Sequence, residues 1–262
     1  MKAVRLALIC TTGLLTVGPL LTRGAADDRV DTNEGAVPAD PAELVLPGDG
    51  GLALGGVEVL VYTGFLDDGF EKDNMVGVMA GAGANITETS TTNADVLAAE
   101  LAGKDCFVVP ELVDSTFVEA GEPLLLEIQS TFGGFSPVVE SFAFAGGVVI
   151  VAEGDLSCEP GEAVVDALMA SDIEDVQEDT GFATFTIVDA ADPLVAGISE
   201  LTYQNGNMTF STADRRLEPV ATLAGNPDEV LVARKRRFVV IGYDYFGFDA
   251  GAAQLLINAC QL

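Results

Sequence analysis

The run Gly146-Gly147-Val148-Val149-Ile150-Val151-Ala152-Glu153-Gly154-Asp155 constrains the fold of this chain more than any other stretch. Its apolar centre, 148–152, is rich in β-branched residues and predicts a strand buried on both faces, as in the middle of a parallel sheet. Glycines flank the strand, and Cys158 and Pro160 follow where a helix should begin. In many α/β enzymes this strand–turn–helix junction carries the nucleophile, so residues 153–158 bear directly on whether the protein is an enzyme.

Short apolar strands alternate with helical patterns over the first half of the mature chain. Strands are predicted at 57–62, 84–88 and 106–109, with helices at about 70–82, 93–101, 136–144 and 160–169. Gly133-Gly134 predicts a break before the helix that starts at Ser136-Pro137. After about residue 173 the pattern becomes strand-rich, and a last helix is expected over 249–260. The alternation predicts βαβ units and a parallel sheet.

The first 26 residues have the pattern of a secretory signal peptide. Lys2 and Arg5 precede an apolar run over 6–21, and small residues at 24–26 offer a cleavage site. An uncleaved anchor is the rival interpretation, disfavoured because Pro19 interrupts a run that is already short for a membrane span. We therefore expect a signal peptide (1–26), a flexible acidic Pro/Gly linker (27–55) and a single α/β domain (56–262), with the mature protein secreted or periplasmic and without a further membrane span.

The chain is strongly acidic and contains no histidine. It carries 41 Asp and Glu against 12 Lys and Arg, a formal net charge of −29. This charge disfavours nucleic acid as a partner and leaves an extracellular or cell-envelope partner of unknown identity. Without histidine, the chain by itself can form neither a Ser-His-Asp nor a Cys-His pair, nor a His-ligated zinc site.

Three cysteines remain after the signal peptide, at positions 106, 158 and 260. Cys106 opens a predicted strand, and Cys260 closes a helix that runs back to the same edge of the sheet. Cys158 follows the far end of a strand. We therefore expect a Cys106–Cys260 disulfide and a free Cys158, since an exported chain meets an oxidising environment.

In order along the chain, these elements resemble the class I glutamine amidotransferase-like, flavodoxin-like superfamily, and more narrowly its secreted, ThuA-like branch that lacks amidotransferase chemistry. The segments that carry the resemblance are 59–62, 142–147, 191–198, 239–245 and 255–259. The resemblance implies a three-layer flavodoxin-like, mostly parallel sheet with helices on both faces and, in this chain, a β-hairpin near the C-terminus. The amidotransferases place a cysteine in a Gly-x-Cys-x-Gly turn at a strand exit and pair it with a histidine. Here the exit is Glu153-Gly154-Asp155, so glutaminase chemistry by that mechanism is excluded.

Ligands of open α/β sheets bind outside the carboxyl ends of the strands. Candidate ligand-binding residues at those ends are Thr63, Asp67, Asp68, Glu111, Glu153, Asp155, Asp244 and Tyr245. Carboxylates there could hold Ca²⁺ or Mg²⁺, or supply an acid–base pair for sugar chemistry. In a chain with so many acidic residues, carboxylates are also expected in loops by chance. The sequence implies no other cofactor.

Arg234-Lys235-Arg236-Arg237 lies between two predicted strands, 229–233 and 238–242. With Arg215-Arg216 it forms either an anion or partner site or a solvated hairpin tip whose charges discourage edge pairing; the tip is the preferred interpretation. The expected function is an exported, non-catalytic binding or scaffold domain on a degenerate amidotransferase-like fold. The alternative is a carboxylate-based hydrolase, with or without an assisting metal ion, acting on carbohydrate or a similar extracellular substrate.

Overall fold

A computed structural model describes the folded part of the chain. The described residues are 54–66, 70–112, 122–152, 158–169, 171, 173–177, 183–203, 209–243, 245 and 249–262. All of them fall within one compact unit of the chain. No helix in these ranges is long and apolar enough to cross a bilayer.

The parallel half of the sheet confirms the predicted fold class. It comprises β1 (Glu58–Tyr62), β2 (Asn85–Thr89), β3 (Cys106–Val109), β4 (Val148–Ala152) and β11 (Phe238–Ile241). Their spatial order is β2-β1-β3-β4-β11, and every neighbouring pair is parallel. This is the doubly wound order of flavodoxin-like proteins. Every residue of β4 is buried, as its unbroken apolar run predicts.

Helices cover both faces of this parallel half and make it three-layered. One face packs α1 (Phe70–Gly81) and α5 (Ala250–Ala259) against side chains such as Val59 and Val61. The other face packs α2 (Ala94–Glu100), α3 (Glu122–Phe144) and α4 (Cys158–Met169) against Leu60 and Tyr62. Two buried cores result because successive residues of a strand point to opposite faces. The predicted helix starts are also met, since the Asn93 and Asp249 side chains cap α2 and α5.

The predicted break at Gly133-Gly134 is wrong, because α3 runs unbroken from Glu122 to Phe144. Ile128, Phe132, Phe135 and Val139 recur at helical spacing and are all fully buried. Burial of this stripe outweighs the low helix propensity of the two glycines. Pro137 lies inside the helix and costs it one hydrogen bond.

An antiparallel arm extends the sheet beyond β11. The strands are β10 (Asn226–Lys235), β9 (Glu218–Leu223), β6 (Ala183–Ile187) and β7 (Leu201–Tyr203), in that spatial order. In addition, β8 (Thr209–Thr212) pairs with β10 and with β5 (Ile173–Gln177). The predicted β-hairpin near the C-terminus is confirmed as β10–β11, with Arg236 and Arg237 as its two-residue turn.

Candidate functional site

Three of the eight predicted edge residues lie in the described part of the chain. The Thr63 backbone N–H follows β1 and donates to the Thr89 carbonyl oxygen at 2.7 Å. Glu111 follows β3 and is half-buried. Tyr245 lies beyond β11 and is buried, and its hydroxyl donates to the Ala252 carbonyl oxygen of α5 at 3.2 Å. This hydroxyl therefore bonds to a helix that packs on the sheet. The five others lie outside the described residues: Asp67, Asp68, Glu153, Asp155 and Asp244.

The structure adds to this edge a tyrosine that the sequence analysis did not single out. Tyr62 is the last residue of β1, and its ring lies 5.2 Å from that of Phe132 and 6.1 Å from that of Phe135. Its hydroxyl is buried and has no hydrogen-bond partner among the described residues. Burial, and then the nearby Glu127 carboxylate, raise the pKa of Tyr62 to about 12. The only sequence signal was a polar-tipped aromatic at a strand's carboxyl end.

The backbone beside this hydroxyl is unusually close and strained. A Cβ atom at Gly64 would overlap the Tyr62 hydroxyl, so glycine is needed there. Phe65 adopts a φ of 61°, which is uncommon for a bulky residue. Strain of this kind costs on the order of 1–3 kcal/mol and tends to occur at ligand sites.

Within the described ranges, no group of three or more carboxylate or thiol side chains is placed to hold a metal ion.

Cys106 and Cys260 lie together, as strand and helix direction led us to expect. Their sulfur atoms are 3.2 Å apart, both residues are buried, and both are free thiols in the structure. The Met79 sulfur lies 3.6 Å from that of Cys260. Burial, and then the neighbouring Cys260, hold the pKa of the Cys106 thiol well above its usual range. The disulfide itself stays a prediction.

A large concave surface lies at the opposite, amino-terminal edge of the parallel strands. It is a cavity of about 1040 Å³ between the ends of α3 and α4, the 215–218 segment and the β10–β11 turn. We call it the basic cavity, because its lining includes five cationic side chains, those of Arg215, Arg216, Lys235, Arg236 and Arg237. The ring of Phe144, 91% exposed, also lines it.

Two of these cations are engaged by neighbouring groups. The Lys235 ammonium donates to the Met169 carbonyl oxygen at the end of α4 at 2.5 Å, and lies 3.3 Å from an Asp214 carboxylate oxygen. Arg216 donates to both carboxylate oxygens of Asp214 at 2.8 Å. The bonds from Arg216, and after them those from Ser171 and Lys235, lower the pKa of Asp214. The hydrogen bond to Asp214 in turn raises the pKa of Arg216. Asp214 thus joins the 215–218 segment to β10.

The other three arginines, Arg215, Arg236 and Arg237, have no side-chain hydrogen bond or ion pair with any described residue. Arg236 also has a φ of 60° at the hairpin turn, where glycine is the usual residue. The solvated hairpin tip predicted for this cluster agrees with the structure, in which Arg215 and Arg236 are exposed. The tip residues also lie on the wall of the basic cavity, beside arginines from a separate segment.

Comparisons with known proteins show the fold. No protein-family model matches the chain, and no curated protein matches it in sequence. A ThuA-like protein from Bacteroides uniformis is similar in structure, with a TM-score of 0.52 at 10% identity over 86% of this chain and 94% of that one. PurLQS from Thermotoga maritima has a TM-score of 0.52 at 6% identity over 78% and 97%. A glutamine amidotransferase from Thermotoga maritima follows with 0.46 at 12% over 78% and 96%. The protein has a flavodoxin-like fold that is similar to that of the ThuA-like protein.

Proposed function

We propose that the protein is an exported binding or scaffold domain that uses a glutamine amidotransferase-like fold without amidotransferase chemistry. The observation that carries the proposal is the residue sequence at the exit of β4. The strand ends at Ala152, and the next residues in the sequence are Glu153-Gly154-Asp155. Cys158 is the first residue of α4 and so lies beyond the strand exit. The chain also has no histidine to activate a thiol.

Export is the second part of this proposal. It rests on the basic residues, the apolar run and the small-residue cleavage site within 1–26. Residues 1–30 fused to alkaline phosphatase, a reporter that is active only outside the cytoplasm, are expected to give activity in a bacterial host. The matched control replaces Leu14 and Leu15 with Arg and is expected to abolish that activity. Equal activity from both fusions would contradict export through this segment.

A carboxylate-based hydrolase is the second candidate, and one observation favours it. The buried Tyr62 hydroxyl at the carboxyl end of β1 lacks a partner among the described residues, on the edge where α/β proteins bind substrates. Such a hydroxyl, protonated at neutral pH, would gain a hydrogen bond with a substrate. Carboxylates for acid–base work would come from residues such as Glu153 and Asp155.

Activity assays distinguish the two candidates. Purified mature protein is incubated with glutamine and with a panel of polysaccharides, with and without Ca²⁺ or Mg²⁺, and released glutamate and reducing ends are measured. The proposal expects the wild type to match Cys158→Ala and the double variant Glu153→Gln, Asp155→Asn in every assay. Turnover that disappears in the double variant would overturn the proposal in favour of the hydrolase.

A further inference from the structure

We propose that the basic cavity is an anion-binding site whose ligand is an acidic oligosaccharide chain, carrying carboxylate or sulfate groups. This inference rests on the proposed function, because it assigns the ligand of an exported binding domain. It places that ligand at the amino-terminal edge of the parallel strands, opposite the edge at which this type of sheet usually binds ligands.

The pairing of basic side chains is the first argument. Five described basic residues form ion pairs: Lys72, Lys104, Arg216, Arg234 and Lys235. The three described arginines that form none, Arg215, Arg236 and Arg237, all line the basic cavity. The chain has 41 acidic and 12 basic residues, so it is rich in carboxylates that could pair with an arginine. Three guanidinium groups facing one cavity without partners are therefore available to an external anion, which they can bind in a bidentate manner.

Stabilisation of helix ends does not account for these arginines. Cations near the last turn of a helix interact favourably with its dipole and its unpaired carbonyl groups. Lys235 does this at the end of α4, through its bond to the Met169 carbonyl oxygen. Neither Arg236 nor Arg237 donates a side-chain hydrogen bond to a described carbonyl group at the end of α3. Arg236 also occupies a turn position at which glycine would be less strained.

The shape of the surface favours an extended ligand. A second cavity, of about 610 Å³, lies on the other side of the α3 end and shares Ser141 with the basic cavity. Apart from Lys104 and Asp105, it is lined by neutral residues, several of them alanine and glycine. The two cavities thus adjoin at Ser141, one strongly cationic and the other mostly neutral. A chain with spaced anionic groups fits this pattern better than a small free anion.

The remaining lining residues favour a sugar chain over other polyanions. A net charge of −29 repels densely charged polymers such as nucleic acid. The basic cavity also contains the Glu140 and Glu218 carboxylates, which can accept hydrogen bonds from the hydroxyl groups of a sugar, whereas an acidic peptide has no such row of hydroxyl donors. The exposed Phe144 ring offers an apolar platform for the C–H face of a pyranose ring.

The test measures binding of the mature protein by calorimetry at low salt and again at 0.3 M NaCl. The probes are oligogalacturonate, a sparsely sulfated dextran, neutral dextran and poly-glutamate. Oligogalacturonate or the sparsely sulfated dextran is expected to bind, and neutral dextran is not. The triple variant R215Q/R236Q/R237Q is expected to bind at least about 10-fold more weakly and to show a smaller dependence on salt.

Two single variants separate binding from folding and from general charge. R236G removes one guanidinium and relieves the positive φ, so it should raise the melting temperature and yet weaken binding. K72Q removes the same charge from α1, away from the basic cavity, and should leave affinity unchanged. Equal losses in R236G and K72Q, binding of no anion, or tighter binding of poly-glutamate would each overturn the inference. Hydrolysis of a bound probe would instead overturn the proposed non-catalytic function and leave the anion site standing.

Discussion

The Cys106–Cys260 pair gives the sharpest stability prediction. The residues are 154 positions apart in sequence, and their sulfur atoms lie 3.2 Å apart between the start of β3 and the end of α5. In the chain-entropy model, closing a loop of this length removes about 5 kcal/mol of unfolded-state entropy at 25 °C, and measured disulfides typically give about 2–4 kcal/mol. For a domain of this size, that corresponds to a rise in melting temperature of about 5–15 °C.

The assay compares one polypeptide in two redox states. Protein exported to an oxidising compartment is alkylated under denaturing conditions without reductant, digested and analysed by mass spectrometry. We expect a linked peptide containing Cys106 and Cys260, and alkylation at Cys158 alone. Reduction in denaturant followed by refolding should then lower the melting temperature by the amount above. Because burial raises the pKa of the Cys106 thiol, reductant should act slowly on the native protein.

Variants separate the bond from core packing. The double variant Cys106→Ala, Cys260→Ala should melt with the reduced wild type to within a small packing difference, and its melting should not respond to reductant. Cys158→Ala should retain the full response. Free thiols at both positions after export, a bridge involving Cys158, or equal melting of oxidised and reduced wild type would refute the reasoning.

Three further predictions test the described structure. Tyr62→Phe removes a buried hydroxyl that has no hydrogen-bond partner among the described residues. The free energy of unfolding in denaturant should therefore be unchanged or increase by up to about 1 kcal/mol. A loss of more than about 1 kcal/mol would reveal a hydrogen-bond partner of the hydroxyl. Gly133→Ala, at an open position of α3, should stabilise the folded protein by about 0.5–1 kcal/mol. Gly147→Ala should destabilise it by about 1–3 kcal/mol, because the added Cβ would overlap the Phe142 ring. The reverse order of stabilities would contradict the described course of α3 and the packing of Phe142 on Gly147. The pKa of Asp214 is lower in the folded protein than in the unfolded chain. The Asp214 carboxylate therefore adds to folding stability above its unfolded pKa near 3.9, and this added stability is lost as the pH falls through its pKa in the folded protein. Asp214→Asn should therefore flatten the acid limb of a stability–pH profile, and an unchanged limb would exclude this role.

The sequence predicted the parallel half of the sheet because each of its signals was local. The unbroken apolar run of β4 and the patterns that predict a helix at 93–101 and a strand at 106–109 depend on neighbouring residues alone, and the structure has the elements where they were expected. The break at Gly133-Gly134 failed for the opposite reason. A pair of glycines weakens a helix by about 2 kcal/mol, but burial of the stripe from Ile128 to Val139 contributes more, and that burial depends on the sheet beneath it.

The candidate sites differ in the same way: one could be predicted from strand direction, and the other depends on tertiary structure. Strand direction was enough to bring Cys106 and Cys260 to one edge, because a helix that follows a parallel strand must return to the edge where strands begin. The basic cavity could not be predicted, since it joins Arg215 to a hairpin turn about 20 positions later and to the end of a helix about 70 positions earlier. In sequence, Arg236 and Arg237 had the composition of a solvated tip. What distinguishes them is that their guanidinium groups stay unpaired on a cavity wall of so acidic a protein, and only tertiary placement reveals that.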